Sequence, residues 1–326
     1  MEPLLPIVRG VHFAAVIALF GQLAFACFLA PGRIPPPRFM AVAGSGVGLA
    51  AASAIAWLAL EAQSMSGLPL REALALDTLR AVLTQTAFGE LWLARIVILF
   101  VAAAALPALR ERVGRTPRWA LPVAFAASAL VLASLAGTGH AAAGQGAELM
   151  ARLLADALHV LAAGAWLGTL PPLVMVTGDA VRRGDAEAFR VAREATERFS
   201  TLGVASVGTL VLSGFANASY TLHGIAGLFT PGYGAMLTAK LMLFAFMISF
   251  AAVNRMWLTP RLAMRPREQV RASLRALRRN ASAELLLGLA ILGLVAQLGI
   301  TMPPDPHMAK RHAPDASPPA GVSLRS

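Results

Sequence analysis

The sequence predicts an all-α polytopic membrane protein, with eight transmembrane helices in two parallel four-helix halves of one integral membrane domain, 1–326. Three observations predict it. Of the 326 residues, 57% are apolar and 14% charged, with a mean hydropathy of +0.65, whereas a soluble domain carries about 25% charged residues. Eight stretches reach the ~20 apolar residues that a hydrocarbon core ~30 Å thick demands of a helix. Strand-period alternation is absent, which argues against a membrane barrel. The same composition excludes a cytosolic globule and a disordered chain. A single cysteine excludes an intramolecular disulfide and any Cys-paired zinc or iron–sulfur site.

In chain order, the first stretch, 7–30, carries His12, Gly21 and Gln22. Its LAFAC run before Cys27 faintly resembles a lipoprotein cleavage site, but Ala24 and Phe25 fit poorly, and cleavage there would invert every later loop. Cys27 reads as a small buried residue or a soft exit ligand. The second stretch, 39–62, has Gly44, Gly46 and Gly48, small residues that let helices approach closely in lipid. Segment 69–85 follows Pro69 and sets Leu70, Leu74, Leu79 and Leu83 near helical spacing between charges, the pattern of a short amphipathic surface helix. Next come 88–109 and 119–137, then 153–177 with Gly164 and Gly168, then 199–220, 235–258 and 282–301. Residues 303–326 read as a flexible periplasmic tail. Gln22 and Gln297 read as interhelical hydrogen-bonding groups.

The net charge of +11 would suggest nucleic acid in a soluble protein. Here the loops absorb it. The links after the first, third, fifth and seventh stretches, with Arg255 at the foot of the seventh, hold 19 of the 28 basic residues. Arginine marks the cytoplasmic side, so both termini are expected outside, which in a bacterial inner membrane is the periplasm. The six arginines of 265–279 suit anionic lipid headgroups.

The two halves, 1–150 and 151–302, echo each other. HFAAVIALFG places His12 nine residues before Gly21, and HVLAAGAWLG places His159 nine before Gly168. FGELWLAR leads from Phe88-Gly89 to Arg95, and YGAMLTAK leads from Tyr233-Gly234 to Lys240. Four stretches separate the copies, so both point the same way, and a site at the interface is natural.

All six histidines, His12, His140, His159, His223, His307 and His312, fall on or near the outer side of this topology. His12 and His159 lie inside helices, where ionisable groups are costly and mark function. Asp156, three residues before His159, shares its helix face and is expected to hydrogen-bond the imidazole and fix its tautomer. Two imidazoles at one depth, helped by His140, Met236 or the tail's Met302 and Met308, suit copper: imidazole for either oxidation state, thioether for Cu(I). The same His12–His159 pair could instead ligate a haem b, with Arg95 and Lys240 on its propionates. Those two cations could also pair with Glu90 and Asp156. No phosphate loop, HExxH or serine–histidine–acid set is present, so no enzyme is expected.

The runs TGHAAAGQG, LLADALHVLAAGAWLGTLPPL, RFSTLGVASVGTLVLSGFANASYTL and FTPGYGAMLTAKLMLFAFMISFAAVNRMWLTPRL are similar, in order and spacing, to the copper-resistance protein D (CopD) family. That resemblance implies copper movement across the inner membrane, periplasm to cytoplasm, with a separate periplasmic CopC-like copper-binding partner. It makes His12, His140 and His159 family histidines, and Asn217, Lys240, Asn254 and Arg255 recurring polar positions. A non-catalytic role in cytochrome oxidase or copper-protein assembly is a further reading.

Overall fold

A computed structural model describes residues 4–30, 37–110, 117–138, 146–221, 225–263 and 267–301. Every regular element among them is helical. Helix α1 (Leu4–Ala24) runs on through a π turn, Phe25–Leu29, and is followed by α2 (Pro37–Ser66). Two short helices, α3 (Leu70–Ala73) and α4 (Leu76–Gln85), lead into α5 (Ala87–Ala105) and α6 (Ala120–Ala133). Then come α7 (Gly146–Leu167), α8 (Leu170–Arg183), α9 (Ala186–Thr221) and α10 (Tyr233–Val253). A π turn (Asn254–Leu258), the short α11 (Thr259–Arg261) and α12 (Arg267–Leu298) complete the chain.

Seven of these segments are long and apolar enough to cross a membrane. The eighth apolar stretch appears as Ala120–Ala136. At 1.5 Å per residue it is roughly 25 Å long, short of a full hydrocarbon core. Large apolar side chains on the outside, among them Phe100, Leu212, Phe215 and Phe246, are exposed as lipid-facing residues should be.

The core gathers on α1. It packs along α2 on one side and touches α6, α7 and α12 on the others, while α7 packs along α9 and α10 along α12. Close approach needs small residues. A Cβ on Gly21 would lie 1.9 Å from the carbonyl carbon of Gly168, and one on Gly168 would lie 2.3 Å from the Ile17 carbonyl oxygen. Only glycine at both positions lets α1 and the end of α7 meet backbone to backbone. The other repeated glycines have a shared duty too. A Cβ on Gly89 would strike the Val82 carbonyl at 2.1 Å, and one on Gly234 the Gly227 carbonyl at 2.5 Å, each belonging to the short segment that precedes its helix.

Two elements differ from expectation. Stretch 153–177 is not one straight helix but the junction of α7 and α8, with Gly168 and Thr169 between them. Pro171 and Pro172 supply no N–H to the Leu167 and Gly168 carbonyls, which opens the helix at this point, and just before them the Thr169 hydroxyl donates to Ala165 O at 2.6 Å and Trp166 O at 3.1 Å. Segment 69–85 is likewise broken, at Leu74 and the extended Ala75. Leu74 is exposed, and the apolar face is made by Val82 with Leu79 and Leu83, seated on Leu58, Ala62, Phe88 and Trp92 of α2 and α5.

Candidate functional site

The helix ends where α1, α7 and α10 begin hold most of the buried ionisable groups. A cavity of about 280 Å³ opens there among α7, α9, α10 and α12, with Arg9, Phe13 and Ile17 of α1 forming one wall. Its polar lining includes Asp156 and His159 from α7, Asn217 and Tyr220 from α9, and Tyr233 and Lys240 from α10.

His159 is oriented by a serine. Its Nδ1 lies 3.0 Å from Ser213 Oγ, and that hydroxyl donates its own hydrogen to the Thr209 carbonyl at 2.6 Å. The serine can therefore only accept from the ring, so Nδ1 carries the proton and Nε2 keeps a bare lone pair. The sequence expectation that Asp156 would do this is not met. Three residues of helix put Asp156 beside the imidazole, but its Oδ1 accepts from Asn217 Nδ2 at 3.2 Å, and the charge of Lys240 lies within electrostatic reach of it. Arg152, at the rim, stacks over Tyr220 at 4.8 Å and pairs with Glu148 at 2.5 Å.

His12 repeats the geometry with a different outcome. Its Nδ1 lies 3.0 Å from Ser53 Oγ and 3.1 Å from the Ala50 carbonyl, again fixing the proton on Nδ1. The ring, however, is fully buried and meets Trp57 edge-on at 5.5 Å. The guanidiniums of Arg9 and Arg95 sit over the same indole at 5.3 and 5.4 Å. Arg95 donates to the hydroxyl and carbonyl of Ser134 at 2.9 and 3.1 Å, rather than to Glu90. Arg9 Nε, His12 Nε2 and Arg95 Nη1 are all buried with no protein partner.

The two imidazoles therefore sit in different surroundings. His159 lines the cavity and His12 does not. Among the described residues, no group of three or more His, Cys, Asp or Glu side chains stands close enough to hold a metal ion. Met236 is half-buried and lies outside the cavity wall. Gln22 is buried with both amide atoms unpartnered, so it bridges no helices, and Gln297 is exposed. His140, His223, His307, His312, Met302 and Met308 lie outside the described residues.

One buried acid lies apart from the histidines. Glu284 of α12 is fully buried and accepts from Trp166 Nε1 at 3.1 Å and Asn254 Nδ2 at 2.7 Å, while Asn280 Nδ2 bonds Asn254 Oδ1 at 2.9 Å. Its signal was a lone carboxylate inside an otherwise apolar run. Asn254 sits in the π turn that ends α10, and such turns often mark functional positions. Arg255, the next residue, bonds the carbonyl and hydroxyl of Ser200 at 3.0 and 2.8 Å.

Comparison with known proteins bears directly on this arrangement. The family described as Copper resistance protein D-like, N-terminal domain, matches residues 1–151, and the family Copper resistance protein D matches residues 193–298. Copper resistance protein D of Pseudomonas syringae pv. tomato is 30% identical over 93% of this chain and 97% of its own length. Copper transport protein CutJ of Bacillus subtilis is 29% identical over 70% of this chain and 39% of its own length. Inner membrane protein YebZ of Escherichia coli is 29% identical over 78% of this chain and 84% of its own. No solved structure matches. Two family matches that flank the α7–α8 bend, and a relative aligned end to end, lead to one conclusion: this chain belongs to the copper resistance protein D family.

Proposed function

We propose that the protein is a carrier, not an enzyme, that moves copper across the bacterial inner membrane from periplasm to cytoplasm. The observation that carries the reading is His159, whose bare Nε2 borders a cavity at the end of the bundle away from the arginine-rich loops. Similarity to copper resistance and copper transport proteins supplies the metal.

Charge favours the cuprous ion. Lys240 and Asp156 offset each other, as do Arg152 and Glu148, which leaves Arg9 as the further cation on the wall, with Glu61 within electrostatic reach of it. A monovalent cation is repelled half as strongly as a divalent one, and Cu(I) is satisfied by two nitrogens. We assign His159 as one ligand and His140, six residues before α7, as the second, with Asp156 and Lys240 setting the local field and Met236 as a thioether at the approach. A cation at His12 would meet the charge of Arg95, so His12 is assigned to hold Trp57 and the two guanidiniums over it in register.

The reading takes eight crossings in two parallel halves: α1, α2, α5 and α6, then α7, α9, α10 and α12. The matched His12–Ser53 and His159–Ser213 bonds and the contact between Gly21 and Gly168 support it. Residues related by a twofold axis meet each other when they lie on it. Arginine-rich loops place both termini in the periplasm, where a CopC-like protein would deliver the metal. Cells expressing His159→Ala should accumulate less copper than wild type at matched expression; equal accumulation overturns the assignment.

A further inference from the structure

We infer that Glu284 is a proton-binding site whose occupancy is coupled to passage of the metal, making the carrier proton-linked. This rests on the transport reading above, and its own evidence lies away from the cavity at His159. Glu284 has no exposed surface, and its hydrogen-bond donors, the Trp166 indole and the Asn254 amide, are both neutral. No ion pair reaches it among the described residues. A carboxylate buried in this way is held charged by hydrogen bonds alone, so gain of one proton is its cheapest response to any loss of a donor.

The surroundings supply no competing charge. Against α12 at this level, α7 presents Trp166 and the end of α10 presents Asn254, which Asn280 holds in place. Arg255 is turned to Ser200. On α8, Asp179 is engaged by Arg38 and Arg182, and on α12 itself Arg278 lies against Gly178. From α1, Gln22 is uncharged.

The donors of Glu284, though not the acid itself, reach a second cavity. Trp166 and Asn254 form part of the wall of this cavity, about 210 Å³, with Thr196, Ser200 and Arg255 on its arginine-rich side. Trp166 stands seven residues beyond His159 on α7, about 10 Å at the helical rise. A proton at Glu284 and a metal at His159 are thus read by two positions on one helix, α7. Protonation takes one acceptor lone pair of Glu284 and turns a charge-assisted bond from Trp166 or Asn254 into a weaker neutral one, which frees that donor to turn; the proton comes from and returns to the aqueous phase.

Two measurements on the full-length protein test this. In infrared difference spectra of the metal-free protein between alkaline and acid pH, wild type should show the carbonyl stretch of a buried protonated carboxyl. Glu284→Gln, which keeps shape and one acceptor, should lose that band. In vesicles reconstituted with protein and supplied with Cu(I), wild-type flux should follow an imposed pH gradient, and Glu284→Gln should lose that dependence while still binding copper. A band unchanged in Glu284→Gln, or a flux equally gradient-dependent in both proteins, overturns the proposal. Failure of the copper reading looks different: wild type would carry no copper under any gradient, while the infrared band would still vanish in Glu284→Gln.

Discussion

His159 Nδ1 lies 3.0 Å from Ser213 Oγ, and the serine's own hydrogen is already given to the Thr209 carbonyl. The imidazole is thereby locked in the one tautomer that leaves Nε2 free for a metal. Groups that hydrogen-bond the far nitrogen of a metal-binding histidine are worth about 10- to 100-fold in affinity. Ser213→Ala should therefore weaken copper binding by about that factor without unfolding the protein, measured by competition with a Cu(I) chelator. Ser53→Ala, at the matching position beside buried His12, should leave copper affinity unchanged.

Gly21 and Gly168 allow no side chain on either helix. Gly21→Ala should lower stability by roughly 1–3 kcal/mol or more, the range for overpacking, seen as a lower melting temperature in detergent. Gly48, with nothing within 4 Å of a built Cβ, is the control. Gly48→Ala should be neutral or slightly stabilising, since alanine suits a helix better.

Trp57 carries two guanidiniums on its ring and donates Nε1 to Glu61 at 3.1 Å. Trp57→Phe keeps a ring but loses the donor, costing roughly 1–3 kcal/mol. Trp57→Leu removes the ring as well and should cost a further ~0.5–2 kcal/mol for each guanidinium. Equal melting temperatures for the two variants would show that the ring does not hold the arginines.

Asp185 caps α9. Its Oδ1 accepts from the Ala188 N–H at 2.7 Å, and Arg183 Nε reaches Oδ2 at 2.9 Å. The Ala188 backbone N–H, and after it Arg183, hold the carboxyl below the usual carboxylate range. Because the folded-state value is depressed, the contribution is full above the ordinary carboxylate pKa and fades as pH falls through the depressed one. Hydrogen exchange at the first turn of α9 should quicken over that acidic interval in wild type, whereas Asp185→Asn should exchange at a pH-independent protection.

Much of this was legible in the chain. The long apolar runs show because lipid leaves no alternative to closed helices, and the repeated His-to-Gly spacing pointed at residues that do meet, Gly21 and Gly168. The bend at Thr169 was written in Pro171-Pro172 but overridden by the length of the apolar run around it. What a chain cannot display is register between helices. Ser53 and Ser213 lie 41 and 54 residues from their histidines, so helical spacing, which sees only three or four residues, chose Asp156 as the partner of His159. The same blindness hid that Arg9 and Arg95 meet over the Trp57 of α2, the indole that His12 also touches.

The contact of Gly21 with Gly168 also makes α7 a lever. Its fulcrum is the point where no side chain separates it from α1. From there His159 is a long arm of nine residues, about 13 Å, and Trp166 a short arm of two, about 3 Å. Any tilt about that point moves the cavity-facing imidazole several times farther than the indole that holds Glu284. A wide swing at the cavity thus arrives at the carboxylate as a fraction of an ångström to an ångström, the scale on which a hydrogen bond is made or lost.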